Sequence, residues 1–131
     1  MDKLLEAKYL HAGITHEIIG GAFEVHRILG PGLLESVYRA CLARELAIRG
    51  LQVRQEVAIP VKFKEFELDC GYRVDLVVGD AVIVELKSAE RLLPIHDAQL
   101  LTYLKLSNLH VGLLVNFNTA PLRHGIRRLV V

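Results

Sequence analysis

The chain has 131 residues, 52% hydrophobic and 24% charged, with a net charge of +1 at pH 7. That length supports a single domain, 1–131, with a core that needs no disulfide or metal staple. No apolar run approaches the roughly 18–20 residues of a membrane span, the lead MDKLLEAKYLHAG is too charged for a signal peptide, and so weak a net charge leaves any nucleic-acid contact to local clusters. Cys41 and Cys70 stand far apart and read as buried, reduced thiols of a cytoplasmic protein.

Residues 2–11 read as a short helix or lead-in. The stripe Ile14, Ile18, Ala22, Val25 and Leu29 predicts a helix from Thr15, with Thr15 as its cap. Gly20 and Gly21 interrupt it, and each costs about 1 kcal/mol against Ala, so close packing against a neighbour is expected there. Gly30-Pro31-Gly32 breaks the chain, and Pro31 suits the first turn of a second helix over 31–49. Its buried side is Leu34, Tyr38, Cys41, Leu42 and Leu46. Glu35 has two readings: an exposed pair with Arg39 at i, i+4, or a carboxylate turned toward the site described next.

Residues 52–59 alternate as a strand, with Pro60 marking its end or a sheet edge, and 61–68 alternate again with Lys62, Lys64, Glu65 and Glu67 toward water. The stretch RVDLVVGDAVIVELK, 73–87, then reads as a hairpin with charges set among Val, Leu and Ile. A two-residue loop would mix charge and hydrocarbon on both faces. A three-residue loop, Gly79 to Ala81, puts Val78 opposite Val82, Asp75 opposite Glu85 and Arg73 opposite Lys87. Val74, Leu76, Val78, Val82, Val84 and Leu86 then form the other face without a polar atom. A one-residue slip would send every side chain to the wrong side, so this register is favoured.

A helix is expected over 95–106, with Leu100, Leu101 and Leu104 inward and His96, Gln99 and Tyr103 sharing one polar line. Residues 109–116 are a buried strand and 126–131 a last strand. Arg123, His124, Arg127 and Arg128 are the one dense basic cluster, either a phosphate contact or a solvated terminus. The order α-α-β-β-β-β-α-β-β predicts an α/β fold, a mixed sheet flanked by helices, with one helix crossing over to a further strand.

Carboxylates converging on one face suit Mg²⁺ or Mn²⁺, which take one or two carboxylates plus water and phosphate oxygens. Lys87 beside them would orient a nucleophile and offset negative charge on a phosphoryl group. Other chemistries lack their parts. The six histidines show no metal-ligand spacing, and no GxSxG, GxxxxGK[ST] or GxGxxG occurs. Acid–base hydrolysis of a glycoside by Asp75 and Glu85 remains open, but the adjacent lysine and the lack of tryptophan disfavour it.

Asp75 followed by Glu85-Leu86-Lys87 resembles the D…ExK core of the PD-(D/E)XK nuclease superfamily, although Val74 stands where proline is usual. Gln99 to Tyr103 resembles the QxxxY motif of RecB-type members, and Gly32-Leu33-Leu34-Glu35-Ser36-Val37-Tyr38 matches GxxExxY. The chain is thus similar to the GxxExxY protein family over nearly its whole length, including LLVNF at 113–117 and GIRRLVV at the end. The resemblance implies a restriction-endonuclease-like core and metal-dependent cleavage of nucleic acid, DNA foremost. It makes Asp75, Glu85 and Lys87 catalytic, Glu35, Asp75 and Glu85 metal ligands, and Gln99 and Tyr103 substrate-binding or orienting groups; Arg73, opposite Lys87 in the expected register, is a further orienting candidate from the residues themselves. Some RecB-type relatives use a helical histidine on metal, but for His26 a core or capping role is the favoured reading. The rival reading is a nuclease-fold binding or regulatory module with a protein partner, and either reading allows a homodimer.

Overall fold

The computed structural model describes residues 2–69 and 71–131, which leaves Cys70 outside the described residues. The described residues form four α-helices, α1 (Lys3–Tyr9), α2 (Ala12–Leu29), α3 (Glu35–Ile48) and α4 (Pro94–Ser107), and a short 3-10 turn at Leu122–Gly125. Seven strands accompany them: β1 (Val53–Ala58), β2 (Val61–Phe63), β3 (Phe66–Leu68), β4 (Arg73–Val78), β5 (Val82–Lys87), β6 (Val111–Asn116) and β7 (Ile126–Val130). Five of the strands form one sheet in the order β1-β4-β5-β6-β7. β5 and β6 pair in parallel, joined through α4 as the expected crossover, and the other neighbours are antiparallel. Among the described residues no helix is long and apolar enough to cross a membrane.

The sheet is covered on both faces. Ile18, Ala22 and Val25 of α2 and Tyr38, Leu42 and Leu46 of α3 pack with Leu76, Val78, Val82, Val84, Leu86, Leu113 and Val115. Leu100 and Leu104 of α4 pack with Val77, Ile83 and Leu114. Burial on both faces explains why β5 and β6 read as unbroken hydrocarbon rather than as alternation. Two glycine positions are set by close approach. A Cβ on Gly21 would meet Leu46 Cδ2 at 2.9 Å, which brings α2 against α3 as expected. A Cβ on Gly112 would meet Leu100 at the same distance, so β6 admits α4 there.

Several sequence expectations need correction. α2 starts at Ala12 rather than Thr15, whose hydroxyl bonds back to Ala12 O inside the helix. α3 starts at Glu35 and not at Pro31, because Gly30 and Gly32 take positive φ and hold 30–34 as a loop. Leu34, expected inside, is consequently 73% exposed. Residues 61–68 are two short strands forming a separate sheet, with Lys64 at positive φ in the turn. The apolar positions had switched from odd (Val61, Phe63) to even (Phe66, Leu68), which is the mark of a two-residue turn. Cys41 carries a free thiol and is half-buried.

Candidate active site

The β4–β5 hairpin turns through Gly79 and Asp80, both at positive φ, and Ala81 N–H donates to Val78 O. Its ladder pairs Val78 with Val82, Val77 with Ile83 and Leu76 with Val84, the register expected for a three-residue loop. The next pair in that register is Asp75 with Glu85, and there the backbone ladder stops. Side chains take over. Glu85 Oε1 accepts the Asp75 N–H at 2.9 Å, and Asp75 Oδ2 accepts the Leu86 N–H at 2.8 Å. Each carboxylate thus bonds to the backbone of the opposite strand, at or next to its partner.

The irregularity extends to both neighbours. Glu56, opposite Asp75 on β1, has φ +50 and drops out of the pairing between Gln55–Leu76 and Val57–Val74. Val74 packs with Val77 and Ile83 rather than with Leu76, so the alternation of faces breaks at Asp75. The expected apolar face therefore holds from Leu76 to Leu86 and loses Val74.

Charge in this position is costly. Glu85 is only 8% exposed, and burial first, then the Asp75 charge, push its carboxyl up to about 7. The Asp75 N–H and the Lys87 ammonium oppose that rise, and Glu35 adds the smallest repulsion. Burial also raises Asp75, against the Leu86 N–H and the charges of Arg39 and Lys87. Glu85 is buried and Asp75 half-buried, so their charge is costly unless a cation or a bound proton offsets it.

The other expected site residues divide among three places. Glu35 and Lys87 line one open cavity of about 580 Å³ with Gly32, Ser88, His96 and Asn118. Tyr38 anchors its rim: the hydroxyl accepts from Leu33 N–H and donates to Gly30 O, while the ring stacks on Phe117 at 4.4 Å. Ser88 Oγ, one residue past Lys87, donates to Leu33 O at 2.7 Å. Tyr38 therefore holds the loop that leads into Glu35 at the start of α3. His96 accepts the Leu93 N–H through Nδ1 and caps α4 beside this cavity. Gln99 and Tyr103 line a second cavity of about 420 Å³ with Tyr72 and Ile95, and Tyr72 lies 6.0 Å from the Tyr103 ring. Arg73 is exposed, donates to Tyr72 O and faces Asp69 at 3.8 Å, so it does not meet Lys87 across the hairpin. His26 is half-buried, its ring 6.4 Å from that of Phe117, which belongs to the helix-packed core. Of the basic cluster, Arg127 pairs with Asp97 and Arg128 donates to Leu10 O.

Two residues escaped the sequence reading. Arg39 does not pair with Glu35. Its guanidinium reaches Asp75 Oδ1 at 3.7 Å and Glu56 Oε1 at 3.4 Å. Asn116 is fully buried at the end of β6, where Oδ1 accepts the Ala89 N–H and Nδ2 donates to Ala89 O. With Phe117 N–H on Lys87 O, it fixes the chain leaving β5. A lone amide ending an apolar strand was its signal.

A family model described as the PD-(D/E)XK nuclease superfamily matches residues 12–129. The chain belongs to this superfamily. No curated protein and no solved structure matches it. For a PD-(D/E)XK nuclease the carboxylates are expected to hold a divalent metal. Among the described residues no three His, Cys, Asp or Glu side chains are gathered closely enough to hold one. The Asp75–Glu85 pair alone fits the group: two hard donors, each with one oxygen fixed on a backbone N–H and one oxygen left over.

Proposed function

We propose that this PD-(D/E)XK domain is a divalent-metal-dependent nuclease that hydrolyses phosphodiester bonds, with DNA as the substrate. The observation that carries this reading is the Asp75–Glu85 pair, half-buried at Asp75, buried at Glu85 and tied into the opposite backbone, with Lys87 two residues past Glu85. Asp75 and Glu85 would hold Mg²⁺ or Mn²⁺. When bound, such an ion supplies charge stabilisation at a phosphoryl oxygen and a more acidic water. The cross-strand bonds fix both carboxylates before substrate arrives, which spares reorganisation in the transition state. Lys87 opens onto the cavity shared with Glu35, so its ammonium meets the water and phosphate that enter there. Glu35 faces the same space from the first turn of α3 and acts on the site through solvent. Gln99 and Tyr103, across α4, contact substrate away from the scissile bond.

The test is a cleavage panel on plasmid, linear duplex and single-stranded DNA with Mg²⁺ and Mn²⁺, run beside Glu85→Gln and Lys87→Ala. Metal-dependent cleavage by the wild type and loss in both variants is the expected outcome. Equal cleavage by all three proteins overturns it.

One observation favours a second reading, a binding or regulatory module on the same fold. Arg127 and Arg128 are spent on internal contacts, and the net charge of +1 leaves little for a phosphate groove. Exposed Ile28, Ile48, Phe63 and Phe66 offer apolar area to a protein partner or a second copy. No DNA binding at low salt, together with a stable stoichiometric partner, would decide for it.

A further inference from the structure

Arg39 stands one turn beyond Glu35 on α3 and reaches Asp75, the nearer member of the carboxylate pair. Its side chain is 22% exposed, with one guanidinium nitrogen 3.7 Å from Asp75 Oδ1 and the other 3.4 Å from Glu56 Oε1. Neither distance is that of a closed charge-assisted bond, which runs at about 2.7–2.9 Å. The same molecule makes such bonds elsewhere, Arg49 to Glu45 at 2.8 Å and Arg127 to Asp97 at 2.7 Å. Arg39 Nε is buried with no hydrogen-bond partner. The guanidinium is therefore held between two acids without closing on either.

The side of Asp75 that it faces is informative. Asp75 Oδ2 is committed to the Leu86 N–H, so Oδ1 is the oxygen left for a ligand, and Oδ1 is the one that meets Arg39. Glu56 is opposite Asp75 on the neighbouring strand, left out of the ladder, and 63% exposed at its side chain. It offers Arg39 a second anchor toward solvent.

We propose that Arg39 is a built-in counter-cation of the Asp75–Glu85 pair, which a divalent ion must displace toward Glu56, so that Arg39 sets how tightly the site takes metal. This rests on the reading of Asp75 and Glu85 as metal ligands. A fixed positive charge beside a ligand oxygen repels an incoming dication and offsets the Asp75 charge while no metal is bound. Arg39 is a positioning residue in this role, distinct from Lys87.

The experiment is Mn²⁺ titration by calorimetry, with thermal melting in chelator alongside. Arg39→Met should bind Mn²⁺ roughly tenfold more tightly than the wild type and melt lower in chelator. Arg39→Lys, which keeps the charge, should bind as the wild type does. If Arg39→Met does not fold, Arg39→Gln keeps a donor without the charge and should show the same tightening. Glu56→Gln should weaken Mn²⁺ binding in the wild type and leave it unchanged in the Arg39→Met protein. A lower melting point with unchanged Mn²⁺ affinity makes Arg39 a structural ion pair and overturns the inference. Glu85→Gln separates the two failures: if it abolishes binding while the Arg39 variants match the wild type, only the inference falls. No Mn²⁺ binding by any of the proteins removes both.

Discussion

The two ends of the β4–β5 hairpin obey different rules. At the turn end, Leu76 to Val78 and Val82 to Val84 form an unbroken backbone ladder between helices, with every side chain at most 2% exposed. At the open end the ladder is replaced by two carboxylates that accept the opposite strand's N–H groups, and the alternation of faces fails at Asp75. The turn end is built for stability and the open end holds charge that burial disfavours. A site of this kind persists because the ordered half over-determines its geometry.

Changes at the open end should cost activity far more than stability. Lys87→Ala and Glu85→Gln are each expected to lower DNA cleavage by about a hundredfold or more, measured as initial rates, while circular dichroism stays that of the wild type. Changes at the turn end should do the reverse. Leu76→Ala removes hydrocarbon from the core between α3 and the sheet, and is expected to cost about 2–5 kcal/mol in denaturant unfolding.

A smaller effect sharpens the contrast by pH. The Glu85 carboxyl, raised to about 7 in the folded chain from an ordinary 4.5, releases its proton later than the unfolded chain does. Stability is therefore lost as pH rises from about 4.5 to about 7 and stays lost above. In chelator, Glu85→Gln should exceed the wild type by about 1–3 kcal/mol at pH 8, and the gain should vanish near pH 4.5. A gain that is the same at both pH values would separate it from the carboxyl. Arg127→Ala, which removes a partly exposed pair with Asp97, is expected to change stability by less than about 1 kcal/mol.

Much of this arrangement was legible in the residues. The apolar parity of 76–86 selects one register and brings Asp75 opposite Glu85, and the helix between two apolar strands announces the parallel β5–β6 pair. What was hidden depends on contacts distant in sequence. Arg39 has Glu35 one turn away, yet it reaches across to Asp75 and Glu56, because α3 lies over the sheet. The polar line of α4 looked like one surface, but His96 and Tyr103 lie about 10 Å apart along the axis, so they open on different cavities. The break at Glu56 has no signal in its neighbours, since a glutamate at positive φ is not written in local composition. Arg73 follows the same lesson: the register placed it opposite Lys87, and the ladder ended before reaching it.

The central claim is that the Asp75–Glu85 pair is a cation site, and its most direct test is thermal melting at pH 8 with chelator and with saturating Mg²⁺ or Mn²⁺. A metal-dependent rise in melting temperature in the wild type, absent in Glu85→Gln, is the result expected. The same rise in both proteins, or none in either, would contradict it.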